Sequence, residues 1–236
     1  MVSPRRRAIS SARVPEAIRL AQPTNHALHI AIAHRAAGTL YLLKGDWSKA
    51  RGPLDQWIEA LQAGNIALQI PSGIGSRAWA LAQLGEADEA LAQLDECERC
   101  ARTLAEGGLG GYLGWAYFSM GRASLALGQA ERARGYAHRV IESSPRHQGY
   151  AAHALHLLGD IASHPGGVDP SGAESYYRKA MALAGPRGIR PILAHCRRGL
   201  GNLYGHTGRN AEAAELLATA TATYRELDMS YWLRAS

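Results

Sequence analysis

The residues with the most reactive side chains are Cys97 and Cys100, which form a C-x-x-C sequence. A pair at this spacing can bind a metal or cycle as a redox motif, but a structural zinc site needs four ligands. Both cysteines lie in the middle of a predicted helix, where a free cysteine behaves as a small buried hydrophobic residue. We therefore interpret them as core residues, and we interpret Cys196, which follows His195, in the same way.

Histidines and a glycine-rich stretch could support two further chemistries. His147, His153 and His156 are close in sequence, and the last two share a helical face, but a metal site needs further ligands with supporting partners. The stretch GGLGGYLG at 107–114 follows a helix rather than a strand, which is the wrong context for a dinucleotide phosphate loop. The phosphate-cradling sequence G-x-x-x-x-G-K-S/T is absent. We predict no catalytic residue, no cofactor and no metal site.

The net charge of +6 is concentrated at the N-terminus, because residues 1–20 contain five arginines and one glutamate and so carry +4. The remaining 216 residues carry only +2, whereas a nucleic-acid-binding body needs basic residues clustered on one face. No stretch of eighteen apolar residues could span a membrane, and no secretory signal follows the arginines. We expect a cytoplasmic protein with a basic flexible tail at 1–14 and neither nucleic-acid nor membrane partners.

Helical hairpins that recur about every forty residues must position any site in this chain. The segments AAGTLYLLKGDWSKARGPLDQWIEAL at 36–61 and RGLGNLYGHTGRNAEAAELLATATATYREL at 198–227 share one pattern. In both, a helix rich in small residues is followed by a glycine turn and a second helix. Three weaker copies lie between them. One alanine of each second helix marks the period, with spacings of 40, 43, 40 and 40 residues between Ala50, Ala90, Ala133, Ala173 and Ala213.

Glycines in the middle of the first helices indicate how these hairpins pack. A mid-helix glycine costs about 1 kcal/mol of helix propensity, so Gly38 and Gly201 indicate places where another helix approaches closely. Each hairpin has two apolar faces and cannot bury both alone, so neighbouring hairpins must stack. We predict an all-α solenoid over 15–236, with a partial N-terminal repeat and about five hairpins at approximately 26–64, 66–104, 109–145, 148–184 and 189–227.

The first helix of each hairpin is expected to line a concave, partner-binding groove, as in other solenoids of stacked hairpins. Aromatic residues and arginine, which dominate binding hot spots, recur at the inward positions. The alternative for Trp79, Trp115 and Phe118 is packing between successive hairpins. Helical spacing assigns twelve residues to the groove: Arg35, Thr39, Trp79, Trp115, Phe118, Arg122, His153, His156, Asp160, His195, Arg198 and Asn202.

The repeat pattern resembles the tetratricopeptide repeat (TPR), although its period exceeds the usual length of about thirty-four residues. This resemblance covers about 15–236 and implies TPR-like hairpins in a right-handed superhelix. The stretch GIRPILAHCRRGLGNLYGHTGRNAEAAELLATATATYRELDMSYWL at 188–233 is similar to the closing repeats of certain bacterial signalling proteins. Those proteins join a class III adenylate/guanylate cyclase domain and a P-loop ATPase domain to a long TPR tail. Similar tails also follow the ATPase domains of some transcriptional regulators.

The cyclase and ATPase domains of those proteins have no counterpart in this chain, so we carry over no catalytic residue and expect that the chain is not an enzyme. Residues 1–22 are interpreted as the second half of an interrupted repeat. We therefore expect a fragment, or the product of a shortened or split gene.

Two functions follow from the predicted groove. The first is an interaction module of a bacterial signalling system that binds a peptide or a partner domain. The alternative is a ligand sensor, in which a small-molecule or peptide effector controls an attached or separately encoded nucleotide cyclase or ATPase. Some TPR domains clamp a peptide's C-terminal carboxylate with a Lys/Arg and Asn pair, which Arg198 and Asn202 resemble. Homo-oligomerisation through the end repeats, which lack obvious polar caps, is a further expectation.

Overall fold

The computed structural model describes residues 13–143, 147–164 and 169–234, and within these ranges the chain forms helices and no strand. This confirms the predicted all-α solenoid. Residues 1–12, which make up most of the predicted basic tail, lie outside the described ranges. The α-helices are α1 (Val14–Ala21), α2 (Ala27–Lys44), α3 (Trp47–Ala63), α4 (Ile70–Leu84), α5 (Ala87–Leu104), α6 (Gly114–Ala126), α7 (Ala130–Ser143), α8 (Gln148–Ala162), α9 (Pro170–Ala184), α10 (Arg190–His206), α11 (Asn210–Glu226) and α12 (Ser230–Arg234).

Consecutive helices form antiparallel pairs, of which the first two are α2–α3 and α4–α5. In both pairs a tight turn at a glycine in the left-handed conformation separates the two helices. Gly45 has a φ of 79°, its N–H donates to Leu42 O (3.1 Å), and the next N–H, of Asp46, donates to Tyr41 O (2.9 Å). This pattern satisfies carbonyl groups that the end of a helix leaves without partners. Gly85 adopts the same conformation, with a φ of 81°. Each turn therefore lets the second helix begin two residues after the glycine.

Glycines inside the first helices sit where the second helix of the pair comes closest. A Cβ atom added to Gly38 would lie 2.6 Å from Leu54 Cδ2, and one added to Gly159 would lie 2.6 Å from the Tyr177 ring. Real Cβ atoms do not approach other atoms this closely, because interiors are packed to near-crystalline density. The low helix propensity of glycine is therefore offset by close packing between the paired helices.

Stacking of the pairs buries a core that extends along the chain. Each first helix packs on the first helix of the next pair, so α2 contacts α4, α4 contacts α6, α6 contacts α8 and α8 contacts α10. Apolar area removed from water in this way contributes about 25 cal/mol per Å² to stability. No helix of the described ranges is long and apolar enough to cross a membrane. The largest fully buried side chains include Trp57, Tyr177, Tyr224, Leu42, Leu54 and Leu61.

The cysteines belong to this packing. Cys97 and Cys196 are fully buried and Cys100 is half-buried. Burial raises the pKa of the Cys97 and Cys196 thiols, because the thiolate is disfavoured away from water. Reactive cysteines need a stabilised thiolate, so these two side chains are packing residues rather than nucleophiles.

The last helix returns to the first hairpin. The Trp232 Nε1–H donates to the Leu43 carbonyl oxygen (3.3 Å), and the Tyr231 ring lies 5.5 Å from the Trp47 ring. Lys44 Nζ lies 2.6 Å from Asp228 Oδ2. These contacts join the last helix to the first hairpin and partly enclose the inner face of the solenoid.

Candidate functional site

The residues assigned to the groove lie on the first helices of the pairs. Arg35 and Thr39 are on α2, and Trp79 is on α4. The structure divides these residues and the remaining nine among a buried aromatic cluster, a polar cleft and an apolar cleft. The remaining nine are Trp115, Phe118 and Arg122 on α6, His153, His156 and Asp160 on α8, and His195, Arg198 and Asn202 on α10.

An aromatic cluster joins α4, α6 and α8. Phe118 contacts Trp79, Trp115 and His153, at ring-centroid distances of 5.6, 5.4 and 4.8 Å. All four side chains are at most 9% exposed. The Trp115 Nε1–H donates to Ser76 Oγ (2.9 Å), so the indole is tied into the interior. These rings pack between successive hairpins, and little of their surface is available to a partner.

A charged pair lies beside this cluster. Arg122 Nη1 donates to Asp160 Oδ2 (2.5 Å) and the Tyr177 hydroxyl donates to Asp160 Oδ1 (2.9 Å). Burial alone would raise the pKa of Asp160, but His156, Arg122 and the Tyr177 hydroxyl lower it below its usual value. The Arg122 guanidinium also lies 5.6 Å from the centre of the Trp79 ring. The carboxylate therefore remains ionised, and it orients both Arg122 and Tyr177.

Three buried histidines complete this part of the inner face. Burial lowers the pKa of His153 to about 3 and that of His156 to about 4. The pKa of His195 is also lowered, by burial first and then by His156 and the neighbouring arginines. His195 Nδ1 forms a hydrogen bond with the Tyr224 hydroxyl (2.9 Å). At neutral pH these side chains are uncharged.

A polar cleft of about 700 Å³ opens on the α8 and α10 side. Arg198 and Asn202, one turn apart on α10, both line it, and Asn202 is exposed. Arg122, His156 and Asp160 line the same cleft. The structure thus brings together six of the predicted residues, since His195 also lies on this wall. Further lining comes from Leu125, Ser163, His164, Tyr177, Gly199, Leu203, His206 and Trp232.

An apolar cleft of about 660 Å³ opens on the α1 and α2 side. Arg35 and Thr39 line it together with Trp115 and Tyr150 from the opposite wall. Ile32 on its rim is 50% exposed, which is high for a large aliphatic side chain. The predicted groove is therefore two clefts of different character rather than one uniform surface. Other lining residues are Arg13, Val14, Ala17, Ala33, Ala36, Ala37, Leu40 and Leu43.

Trp232 is the inner-face residue that the sequence analysis missed. It lines the polar cleft and also a cavity of about 20 Å³ between Leu43, Phe118 and His153. Its ring lies 4.4 Å from the His195 ring and 5.4 Å from the Arg198 guanidinium carbon. The available signal was local: an Asp at 228, a residue type that tolerates the left-handed conformation, followed by the aromatic pair Tyr231–Trp232.

In the parts of the chain that the structure describes, no group of three or more His, Cys, Asp or Glu side chains is arranged to hold a metal ion. His153 and His156 point into different surroundings, the first against Phe118 and the second beside Asp160 (3.4 Å). His147 instead contacts Tyr150. These side chains can donate and accept hydrogen bonds and can pack against rings.

Comparisons with known proteins agree with this architecture. The tetratricopeptide-repeat family matches residues 112–147, the region of α6 and α7. No curated protein sequence matches the chain. The crystal structure of BtubC (BKLC) from P. vanneervenii is similar, with 20% identity and a TM-score of 0.59, covering 92% of this chain and 89% of that one. A thermophilic TPR protein of Thermus thermophilus shares 22% identity at a TM-score of 0.51, covering 85% of this chain and 95% of that one.

At these identities the structural likeness shows the fold alone. Together with the matched repeat, it agrees with a solenoid of TPR-like helical hairpins.

Proposed function

We propose that this protein is an interaction module of a bacterial signalling system, and that its polar cleft binds a peptide or a segment of a partner domain. The observation that supports this most directly is the cleft itself, in which Arg198 and Asn202 lie one turn apart on a rigid helix. Solenoids of this kind act by presenting a preformed concave surface, so their contribution is orientation and specificity. The resemblance of residues 188–233 to cyclase–ATPase tails supplies the signalling context.

The charge of the cleft wall favours an anionic group on the partner. Arg122 and Arg198 contribute two positive charges, and Asp160 contributes one negative charge. The lowered pKa of His156 and of His195 keeps both rings neutral at pH 7. These groups together therefore carry a net charge of +1.

A carboxylate is the group that this arrangement recognises best. Arginine binds carboxylates through paired hydrogen bonds, and the Asn202 amide can donate a further one. The C-terminal carboxylate of a peptide, or an acidic side chain in an extended segment, fits this chemistry.

A selection experiment tests this function. A displayed library of random peptides with free C-terminal carboxylates is enriched on the purified full-length protein, and the enriched peptides are measured against Arg198→Ala and Asn202→Ala. We expect each substitution to weaken binding by about tenfold or more, which is the effect of losing one charge-assisted contact of about 1.4 kcal/mol. Arg197→Ala is the matched control, since Arg197 is adjacent on α10 and does not line the cleft.

Equal binding by wild type, Arg198→Ala and Asn202→Ala would reject the cleft as the binding surface. Helicity measured by circular dichroism verifies that each variant is folded. Arg122 and Trp115 are unsuitable for this test, because Arg122 is paired with Asp160 and Trp115 is bonded to Ser76. Their replacement would disturb the interior as well as the surface.

The volume of the cleft favours a second candidate function. About 700 Å³ lies within the range of small-molecule sites, roughly 300–1,000 Å³, so a small effector could regulate an attached or separately encoded cyclase or ATPase. A ligand that binds only the folded state raises the melting temperature. ATP, GTP and their cyclic monophosphates are the first probes, and a rise in melting temperature that Arg198→Ala abolishes would support a sensor.

A further inference from the structure

A short segment of the chain itself occupies one end of the proposed binding surface. We call residues 228–233 the α12 segment, and we call the residues that it contacts the α12 seat. The seat is formed by the end of α2, the start of α3 and one face of α10, and its members are Leu43, Lys44, Trp47, His195 and Arg198.

The segment is held in the seat mainly by its side chains, and the first contact is an ion pair. Asp228 pairs with Lys44, whose side chain is only 7% exposed, whereas Asp228 is 79% exposed. A buried ammonium group needs hydrogen-bond acceptors to offset its lost hydration, so the seat selects for an anion at this point. The acid is provided by the segment, and the cation by the body of the protein.

Aromatic recognition follows three and four residues after the acid. The Tyr231 ring packs edge-on against Trp47 (5.5 Å) and lies directly over Gly45, where an added Cβ would be 2.7 Å from the ring. The Trp232 indole donates to the Leu43 carbonyl oxygen (3.3 Å) and lies against His195. Indole N–H groups that are partly buried usually find an acceptor in this way.

Met229 anchors the segment, since it is buried and packs with Ala194, Ala220 and Tyr224, but the residues that follow it are attached less firmly than the core. A helix of five residues, as α12 is, is not stable on its own in water. Ion pairs with an exposed partner contribute little to stability, and Tyr231, Trp232 and Leu233 are only half-buried. Such elements open locally without global unfolding. The segment begins at the turn residue Asp228, which has a φ of 54°.

We propose that the α12 seat is a peptide-recognition surface whose present occupant, the α12 segment, imitates and competes with the partner. The partner that it fits is a protein segment with an acidic residue followed, three and four residues later, by two aromatic residues. The inference rests on the proposed function, and it specifies the partner class and the regulation of the same site. Trp232 lines the polar cleft, so the partner gains that end of the cleft when the α12 segment leaves.

Binding in trans is the decisive measurement. A fluorescein-labelled synthetic peptide with the sequence of residues 226–234, ELDMSYWLR, is titrated into full-length wild type and into the double variant Tyr231→Ala with Trp232→Ala. A segment tethered by a short linker has an effective concentration in the millimolar range, so we expect the wild type to resist the peptide. The double variant should bind it at least about tenfold more tightly, as followed by fluorescence anisotropy.

Matched reagents identify the contacts. The same peptide with alanine in place of its tryptophan should lose binding to the double variant, and adding Trp47→Ala to that variant should lose it too. Asp228→Asn in the otherwise wild-type chain is the gentler variant, which keeps every ring and tests the proposal if the double variant fails to fold. It should admit the peptide more readily than wild type, and less readily than a folded double variant.

Three results would overturn the proposal. The first is a folded double variant and a folded Asp228→Asn variant that both ignore the peptide, which would make α12 a fixed end cap. The second is equal binding to wild type and variants. The third is a wild-type dimer in sedimentation that exchanges α12 between copies, because the occupant would then be a second chain. Loss of library binding in Arg198→Ala with no effect of α12 variants would leave the proposed function intact and reject only this inference.

Discussion

The two clefts of the inner face differ in the chemistry of their walls. The apolar cleft is lined mainly by alanine and aliphatic side chains of α1 and α2, whereas the polar cleft is lined by charged and amide side chains of α8 and α10. In both, most of the lining residues lie on first helices of the repeats. Repeats with one backbone plan therefore form surfaces of different chemistry.

The position after the mid-helix glycine makes this comparison specific. Thr39 follows Gly38 on α2, Asp160 follows Gly159 on α8 and Asn202 follows Gly201 on α10. Thr39 lines the apolar cleft, and its buried hydroxyl has no hydrogen-bond partner among the described residues. Asp160 instead accepts hydrogen bonds from Arg122 and Tyr177. The same repeat position therefore makes no side-chain hydrogen bond among the described residues in one region and lies at the centre of a hydrogen-bonded network in the other.

Lowering the pH should destabilise the region of the polar cleft more than the region of the apolar cleft, and this is the largest expected effect. Burial lowers the pKa of His153, His156 and His195 in the folded state, so below about 6.5 the unfolded chain binds protons that the folded chain does not. The free energy of unfolding therefore falls as pH falls. From pH 7.5 to 5.5 we expect a loss of about 4 kcal/mol, since each of the three histidines contributes about 1.4 kcal/mol over this interval.

Urea unfolding at several pH values measures this loss, and hydrogen exchange locates it. At pH 5.5 the amides of α8 and α10 should exchange before those of α3 and α4. His34 on α2 also has a pKa lowered by burial, an effect that Glu59 opposes, but it is a single group against three. A free energy of unfolding that does not change between pH 7.5 and 5.5 would contradict this prediction. Amide exchange that begins in α3 rather than in α8 and α10 would also contradict it.

Removal of the central carboxylate should be the most damaging of the single substitutions. Asp160→Ala leaves the Arg122 guanidinium, which is 11% exposed, without its ion-pair partner. Breaking a fully buried pair costs about 3–5 kcal/mol, and partial exposure reduces the expected cost to about 2–3 kcal/mol. Thr39→Ala is the matched change at the same repeat position, and it should alter stability by less than about 0.5 kcal/mol. Equal costs in urea unfolding would show that the two regions do not differ as described.

Two glycines test how rigidly each region is packed. A Cβ on Gly159 would meet the Tyr177 ring, which is held by its hydrogen bond to Asp160, whereas a Cβ on Gly38 would meet the side chain of Leu54. An aliphatic side chain can adjust more readily than a bonded ring. We expect Gly159→Ala to destabilise by about 2 kcal/mol and Gly38→Ala by about 1 kcal/mol, as measured by thermal unfolding. The reverse order would contradict the greater rigidity of the polar region.

The all-α solenoid could be predicted because its signals are local. Periodic apolar residues, turn glycines such as Gly45, and small residues such as Gly38 report contacts within one repeat or between adjacent repeats. The inward positions of Arg122 and Asp160 follow from the same period. Their ion pair spans 38 residues, close to one repeat, so repeat spacing contains the information needed to expect it.

The division of the inner face into two clefts could not be predicted in this way. Residues Arg35 and Arg198 have the same predicted orientation, but the structure places them in different clefts. The seat of Trp232 depends on how far the stacked pairs curve, because it joins residues 189 positions apart. Small rotations between successive repeats accumulate along the chain, and no short sequence motif encodes their sum. The assignment of all twelve residues to partner binding stays a prediction.

The smallest expected effect concerns the link between the two regions. Asp228→Asn removes the charge that pairs with Lys44 across 184 residues, and it retains a residue type that tolerates the left-handed turn. Because Asp228 is largely exposed, the cost should be about 0.5 kcal/mol. Glu226→Gln is the control: the Glu226–Arg190 pair is exposed at both ends and joins neighbouring helices. Its loss should cost less. Glu226→Gln could instead lower the free energy of unfolding in urea more than Asp228→Asn does. The Asp228–Lys44 pair would then be no stronger than an ordinary surface ion pair. In that case the two clefts would be connected only through the stacked helices.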